Sequence, residues 1–392
     1  MTRSALAIVV GLGILVAPLA DTPATACPFC SAVSQTFSEE IGSMDAVVIA
    51  ELMKLPPPAK PATGQANREV PKAVFRVTQV VKGASYVKDQ QVIETIYFGN
   101  GAKGKSFLLM SVDPPRLMWS TPLPLSDRAR GYIPKLLALP KEGGDRLDFF
   151  QAYLEDADEM LARDAYDEFA KAPYQTVIAL KERMNHDQLV SWIQNPDIPA
   201  SRRRLYLTML GVCGAQQDVP LLERMLKSDD RKVKAGLDAM IGCYLTLKGA
   251  DGMPLIEELF LKNQDAEYAD TYAAIMALRF HGSETDVIPR KRILEGLRYM
   301  LGRPQLADLV IPDLSRWKDW SVMGELVQLF KDADDKSSWV RVPVINYLRA
   351  CPKQEAKDYI NELEKIDPAA VKRANTFFPF GGAAAAEPKK NG

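Results

Sequence analysis

Histidine is almost missing from this chain: 392 residues contain two, His186 and His281. With so little imidazole and no G-x-S-x-G, Ser/His/Asp and Cys/His catalysis has almost no material to work with. A second C-x-x-C is also lacking, so Cys27-Pro-Phe-Cys30 has no matching pair with which to build the usual four-cysteine zinc site. Haem attachment is excluded because Ser31, not His, follows Cys30. Nor is there an excess of charge of either sign. Lys+Arg at 49 against Asp+Glu at 50 leave a net charge of −1, which supplies no electrostatic case for nucleic acid or an anionic membrane surface. Beyond the N-terminus, no segment approaches the roughly 20 apolar residues that a membrane-spanning helix needs.

What is present begins at the N-terminus. Met1-Thr-Arg3 is a short positive region, Ala5–Ala20 is an apolar run, and Ala24-Thr25-Ala26 is a small-residue cleavage site. Together they read as a secretory signal peptide, residues 1–26, and place the protein in the periplasm, the cell envelope or outside the cell. Cleavage after Ala26 makes Cys27 the first mature residue. It is then a candidate mature N-terminus or, as in bacterial lipoproteins, a candidate lipidation site and tether, although Ala24 stands where that signal prefers Leu.

Residues 27–125 carry short runs rich in apolar and β-branched residues: DAVVIAELMK, AVFRVTQVVK, QVIETIY, SFLLMSV and the stretch Leu117–Thr121. They predict a small antiparallel barrel or sandwich, with a Pro-rich surface excursion over 55–72. An N-terminal cysteine pair, a strand like AVVIAEL, a second strand ending in VVKG and a Gly-rich turn into FLLMSV resemble the netrin-like (tissue-inhibitor-of-metalloproteinase-like) OB-fold domains. That family's later cysteines are absent here. The resemblance implies one sharper role, in which the amino group and carbonyl of a free mature Cys27 would be offered to a protease's zinc.

From Ser126 the chain reads as helical. A connecting helix and linker occupy 126–143, and 144–368 repeats in helix pairs at intervals of roughly 30–37 residues. Several second helices carry similar stripes: PLLERML, PLIEELF, GELVQLF, DYINELE. This pattern resembles a HEAT-type α-solenoid, which implies an extended binding surface and no chemistry of its own. Residues 369–392 read as a low-complexity tail. The predicted fold class is thus α+β multidomain, a small antiparallel β barrel or sandwich followed by an all-α HEAT-like superhelix.

Three motifs compete for function. Gly99, Gly104, Lys105 and Ser106 satisfy the P-loop pattern G-x-x-x-x-G-K-[ST]. A phosphate cradle needs a helix after the loop, whereas SFLLMSV runs into Asp113-Pro114-Pro115, so the stretch reads as a hairpin connection with Lys103 and Lys105 in solvent. Cys27 and Cys30 are a candidate disulfide or redox pair, but no strand of a βαβ sheet precedes them as thioredoxin chemistry requires. Cys213, Cys243 and Cys351 read as buried thiols between helices.

The remaining polar features read as structural. His281, at a helix end, is expected to be favourable as a cation, and His186 is expected to cap or to face solvent. Glu155-Asp156-Ala157-Asp158-Glu159 and Arg202-Arg203-Arg204 read as solvated helix surface. The leading expectation is an exported, non-enzymatic protein-binding scaffold with protein partners, no nucleic acid, and no metal or cofactor. The alternatives are a C-x-x-C redox or metal-handling protein and, distantly, a P-loop nucleotide binder.

Overall fold

The first strand, β1 (Ala46–Lys54), is apolar at nearly every position and is buried on both of its faces. Alternation along a strand sends Ala46, Val48, Ala50 and Leu52 to one side and Val47 and Ile49 to the other. The first set meets Phe75, Ile93, Tyr97, Phe107 and Leu109 inside a small curled sheet. The second set joins Ile41, Leu108 and Leu125 in a core continuous with the helices.

The structure, a computed structural model, describes residues 28–31, 34–56, 70, 72–88 and 90–377. The expected signal segment, Cys27, most of the Pro-rich excursion and the end of the tail lie outside the described residues. Around β1 the sheet is completed by β2 (Lys72–Lys82), β3 (Val92–Ile96), β4 (Ser106–Val112), β5 (Met118–Trp119) and β6 (Leu123–Leu125). All pairings are antiparallel in the order β3-β2-β1-β4-β5, with β6 also on β4, which makes a near-barrel. The strand expected over Leu117–Thr121 is only β5. The sequence reading missed β6 because Pro122 and Pro124 look like breakers, yet proline is tolerated on an edge strand.

The helical region stacks in two layers. Ala200–Cys213, Leu237–Lys248 and Tyr268–Ser283 pack side by side in one layer, which continues through Ile311–Arg316, Arg341–Ala350 and Pro368–Phe377. Val219–Leu226, Met253–Ile256, Arg290–Arg298, Met323–Asp332 and Gln354–Ile366 form the other. Ion pairs recur along the first layer: Arg204 to Asp238 at 2.8 Å, Lys234 to Asp270 at 2.6 Å and Arg279 to Asp313 at 2.8 Å. Their partners lie 34, 36 and 34 residues apart, matching the spacing of the sequence stripes.

Two charge runs behave differently from expectation. Arg203 is only 1% exposed and donates to the carbonyls of Asn195 (2.6 Å) and Lys232. Arg204 is bound to Asp238, and Arg202 to Glu155 and Glu159. These arginines tie helices together because a guanidinium can bond several helix-end carbonyls or carboxylates at once. Glu155 to Glu159 is likewise not a solvated helix face. The run falls in the break between the helices Gly144–Gln151 and Glu159–Lys171, and Asp158 caps the second by accepting from the Met160 N–H. Asp156 is buried against Arg128.

Among the described residues, no helix is long and apolar enough to cross a membrane.

Candidate functional site

The P-loop-like stretch is the connection between β3 and β4. It is not a hairpin, since those strands are not neighbours: the chain crosses past β2 and β1 to reach β4. Gly99 lies under the Tyr97 ring, where an added Cβ would come within 2.3 Å of the hydroxyl. Tyr97 also accepts the Gly101 N–H at 3.1 Å. Gly104 turns the chain at φ +81°, and its N–H reaches the Leu52 carbonyl at 2.9 Å. Ser106 is buried as the first residue of β4, and no helix begins there. The backbone donors of Gly101 and Gly104, which a phosphate cradle would present, are spent on Tyr97 and β1.

Cys30 is disulfide-bonded, and Cys27 lies outside the described residues. Cys213, Cys243 and Cys351 are free thiols, as expected; Cys243 and Cys351 are buried and Cys213 half-buried. Burial raises the thiols of Cys213 and Cys243 above the usual range, which makes them poor nucleophiles. Phe29, between the two cysteines of the motif, is the anchor of the N-terminal segment. Its ring stands edge-on to Phe280 at 5.0 Å, and Tyr174 flanks Phe280 at 5.2 Å. Gly242 opens the seat: a Cβ there would lie 2.8 Å from the Phe29 ring. Downstream, Phe37 donates its N–H to Asp164 at 2.7 Å, and the Tyr132 hydroxyl donates to the same carboxylate at 2.5 Å. Burial pushes the Asp164 carboxyl up to about 6.

His281 departs from the sequence expectation. It is fully buried, with Nε2 3.0 Å from the Gly242 carbonyl and Nδ1 3.1 Å from the Thr285 hydroxyl. Burial pushes it down to about 4, so it is a neutral core residue directly behind the Phe29 seat. His186 sits at the start of His186–Gln194, capped by Asn185, with ring nitrogens 3.0 Å from Asp187 and 2.9 Å from Asp218. Those two carboxylates hold it above the usual imidazole range. No group of three His, Cys, Asp or Glu side chains among the described residues is placed to hold a metal ion.

One surface feature carries no mark in the local sequence pattern. Along one edge of the helical layers, the turns before Tyr268–Ser283, Ile311–Arg316 and Arg341–Ala350 form an open groove of about 830 Å³. Tyr268 (57% exposed) and Trp339 (48% exposed) line it with Leu306 and Leu309. Tyr272 stacks parallel to Tyr268 at 6.1 Å. Trp339 is fixed by donating its indole N–H to the Gln305 carbonyl at 3.1 Å. The carboxylates of Asp308 and Asp335 border the same groove beside one cation, Lys336, and burial raises Asp308 above the usual carboxylate range. Tyr268 and Trp339 both follow an Asp-bearing turn and open a first-layer helical segment, which is the signal a repeat-by-repeat alignment would have offered. Trp317 and Trp320 are instead part-buried against the core.

No protein-family model matches the sequence, and no curated protein matches it.

Proposed function

We propose that this is an exported, non-enzymatic binding or scaffold protein whose HEAT-like helical repeats present the Tyr268/Trp339 groove to an extended, cation-bearing peptide segment of a partner. One observation carries the reading. Aromatic faces that would normally be buried stand in solvent beside two carboxylates, and ring faces together with carboxylates attract lysine and arginine side chains. The netrin-like likeness of the sheet and export through the N-terminal segment belong to the same reading, on the sequence features given above.

The test is fluorescence anisotropy with labelled Lys/Pro and Arg/Pro peptides against an acidic peptide of equal length. Cationic peptides are expected to bind, and Trp339→Ala combined with Tyr268→Ala to weaken them at least about tenfold. Equal binding of the acidic peptide, or indifference to both substitutions, would sink the proposal. Redox exchange at Cys27/Cys30 is the second reading, favoured by the disulfide at Cys30. Thiol–disulfide exchange no faster than that of a plain peptide would remove it.

A further inference from the structure

The balanced net charge of the whole chain hides a local imbalance at one end of the sheet. There the last residues of β1, the first of β2, the last of β3 and the loop entering β4 come together. Lys72 pairs with Ile96 and Lys54 with Val74, while Leu52 exchanges backbone bonds with Gly104 and Lys105. Four large apolar side chains are exposed at this tip: Met53, Val70, Ile96 and Phe98. Phe98 is 84% exposed, so nearly the whole phenyl ring stands in solvent.

Lys54, Lys72, Lys103 and Lys105 are exposed around these residues, and among the described residues no ion pair joins any of them to a carboxylate. The nearby carboxylates on the outer face of the sheet are Glu94, further along β3, and Glu51, which is bound to Arg76 at 2.6 Å.

We propose that this lysine-rimmed apolar tip docks on the surface of an anionic lipid bilayer. Protruding apolar side chains enter the headgroup boundary while lysines meet lipid phosphates, and the two contributions add. The charge on the rim selects among the possible occupants. The connecting segment 57–69 carries Lys60 and Arg68 against Glu69, so it has the same sign as the rim. A second copy of the tip repels the first in the same way. A soluble polyanion answers the lysines but gives Phe98 nothing to enter.

The inference is independent of the groove at Tyr268 and Trp339, which lies on the helical layers. Its test is vesicle flotation with residues 27–392, which keep every described residue and both cysteines of the motif but omit the apolar run Ala5–Ala20. Vesicles of phosphatidylcholine containing phosphatidylglycerol at about 30 mol% should carry at least about ten times more protein than phosphatidylcholine alone. Each lysine near such a surface is worth roughly fivefold, so Lys103→Glu with Lys105→Glu should lower partitioning about 25-fold or more. Phe98→Ser should lower it about tenfold. All three side chains are exposed, so melting temperatures should not move, and a variant that melts like the parent but no longer floats isolates the surface effect. Absence of flotation by the parent chain overturns the proposal, as does flotation unchanged in both variants. Heparin binding that Phe98→Ser leaves intact, without flotation, would identify a polyanion site instead and would equally overturn it.

Discussion

Phe29 and Gly242 allow a sign-reversal experiment. Gly242 lies inside the helix Leu237–Lys248, where alanine is favoured over glycine by about 1 kcal/mol. In this protein the added methyl would lie 2.8 Å from Cζ and 2.9 Å from Cε2 of Phe29, closer than any real contact allows. Displacing the ring from its seat against Phe280 is an overpacking cost of about 1–3 kcal/mol, which outweighs the propensity gain. Gly242→Ala should therefore destabilise the parent chain by up to about 2 kcal/mol.

Phe29→Ala empties the seat and should cost about 3 kcal/mol, at the low end for a buried phenylalanine because the ring is near the surface. In that background the added methyl has room, so the same Gly242→Ala change should become stabilising by up to about 1 kcal/mol. Urea unfolding of all four proteins, with unchanged m-values, yields the coupling. A Gly242→Ala effect equal in the two backgrounds within about 0.5 kcal/mol would refute the seat as the reason glycine is there.

Two further outcomes follow from buried polar groups. The unfolded chain protonates His281 near pH 6.5 and the folded one at about 4, so this residue lowers stability by about 3 kcal/mol as pH falls through that window. Asp164 acts in reverse: the folded protein takes its proton near pH 6 and the unfolded chain near 3.8, adding about 3 kcal/mol over the same fall. The two nearly cancel between pH 4 and 6, and Asp164→Asn should convert that plateau into a steep loss on acidification, measured by urea midpoints across pH. Arg203→Ala removes the buried guanidinium that donates to the Asn195 and Lys232 carbonyls and should cost about 1–3 kcal/mol. Arg231→Ala, which removes an 83%-exposed partner of Glu267, should stay within about 0.5 kcal/mol; comparable losses would refute the distinction.

The alternation of β1 to β4 and the stripe of the second-layer helices were legible because periodicity reports which faces are apolar. Strand order was not, and so the Gly99–Ser106 stretch, legible as a turn region rather than a phosphate cradle, looks like a hairpin until β1 and β2 are placed between its two strands. Composition also misled locally. Arg202 to Arg204 look like surface until helix ends are brought beside them, and His281 looks like a helix-end cation until Gly242 is placed behind it. The groove and the lysine-rimmed tip join residues far apart in sequence, with no local pattern to mark them. Phe29, squeezed between two cysteines, was legible only as the middle of a motif.

The position of Phe29 sets an order of events. It is synthesised before every residue of its seat, which is built from Tyr174, Gly242 and Phe280. Until most of the chain has been made, this phenyl ring has nowhere native to go, and loop closure over that span is among the slowest contacts the fold requires. The segment around Phe29 therefore emerges before its seat exists and is among the last to dock.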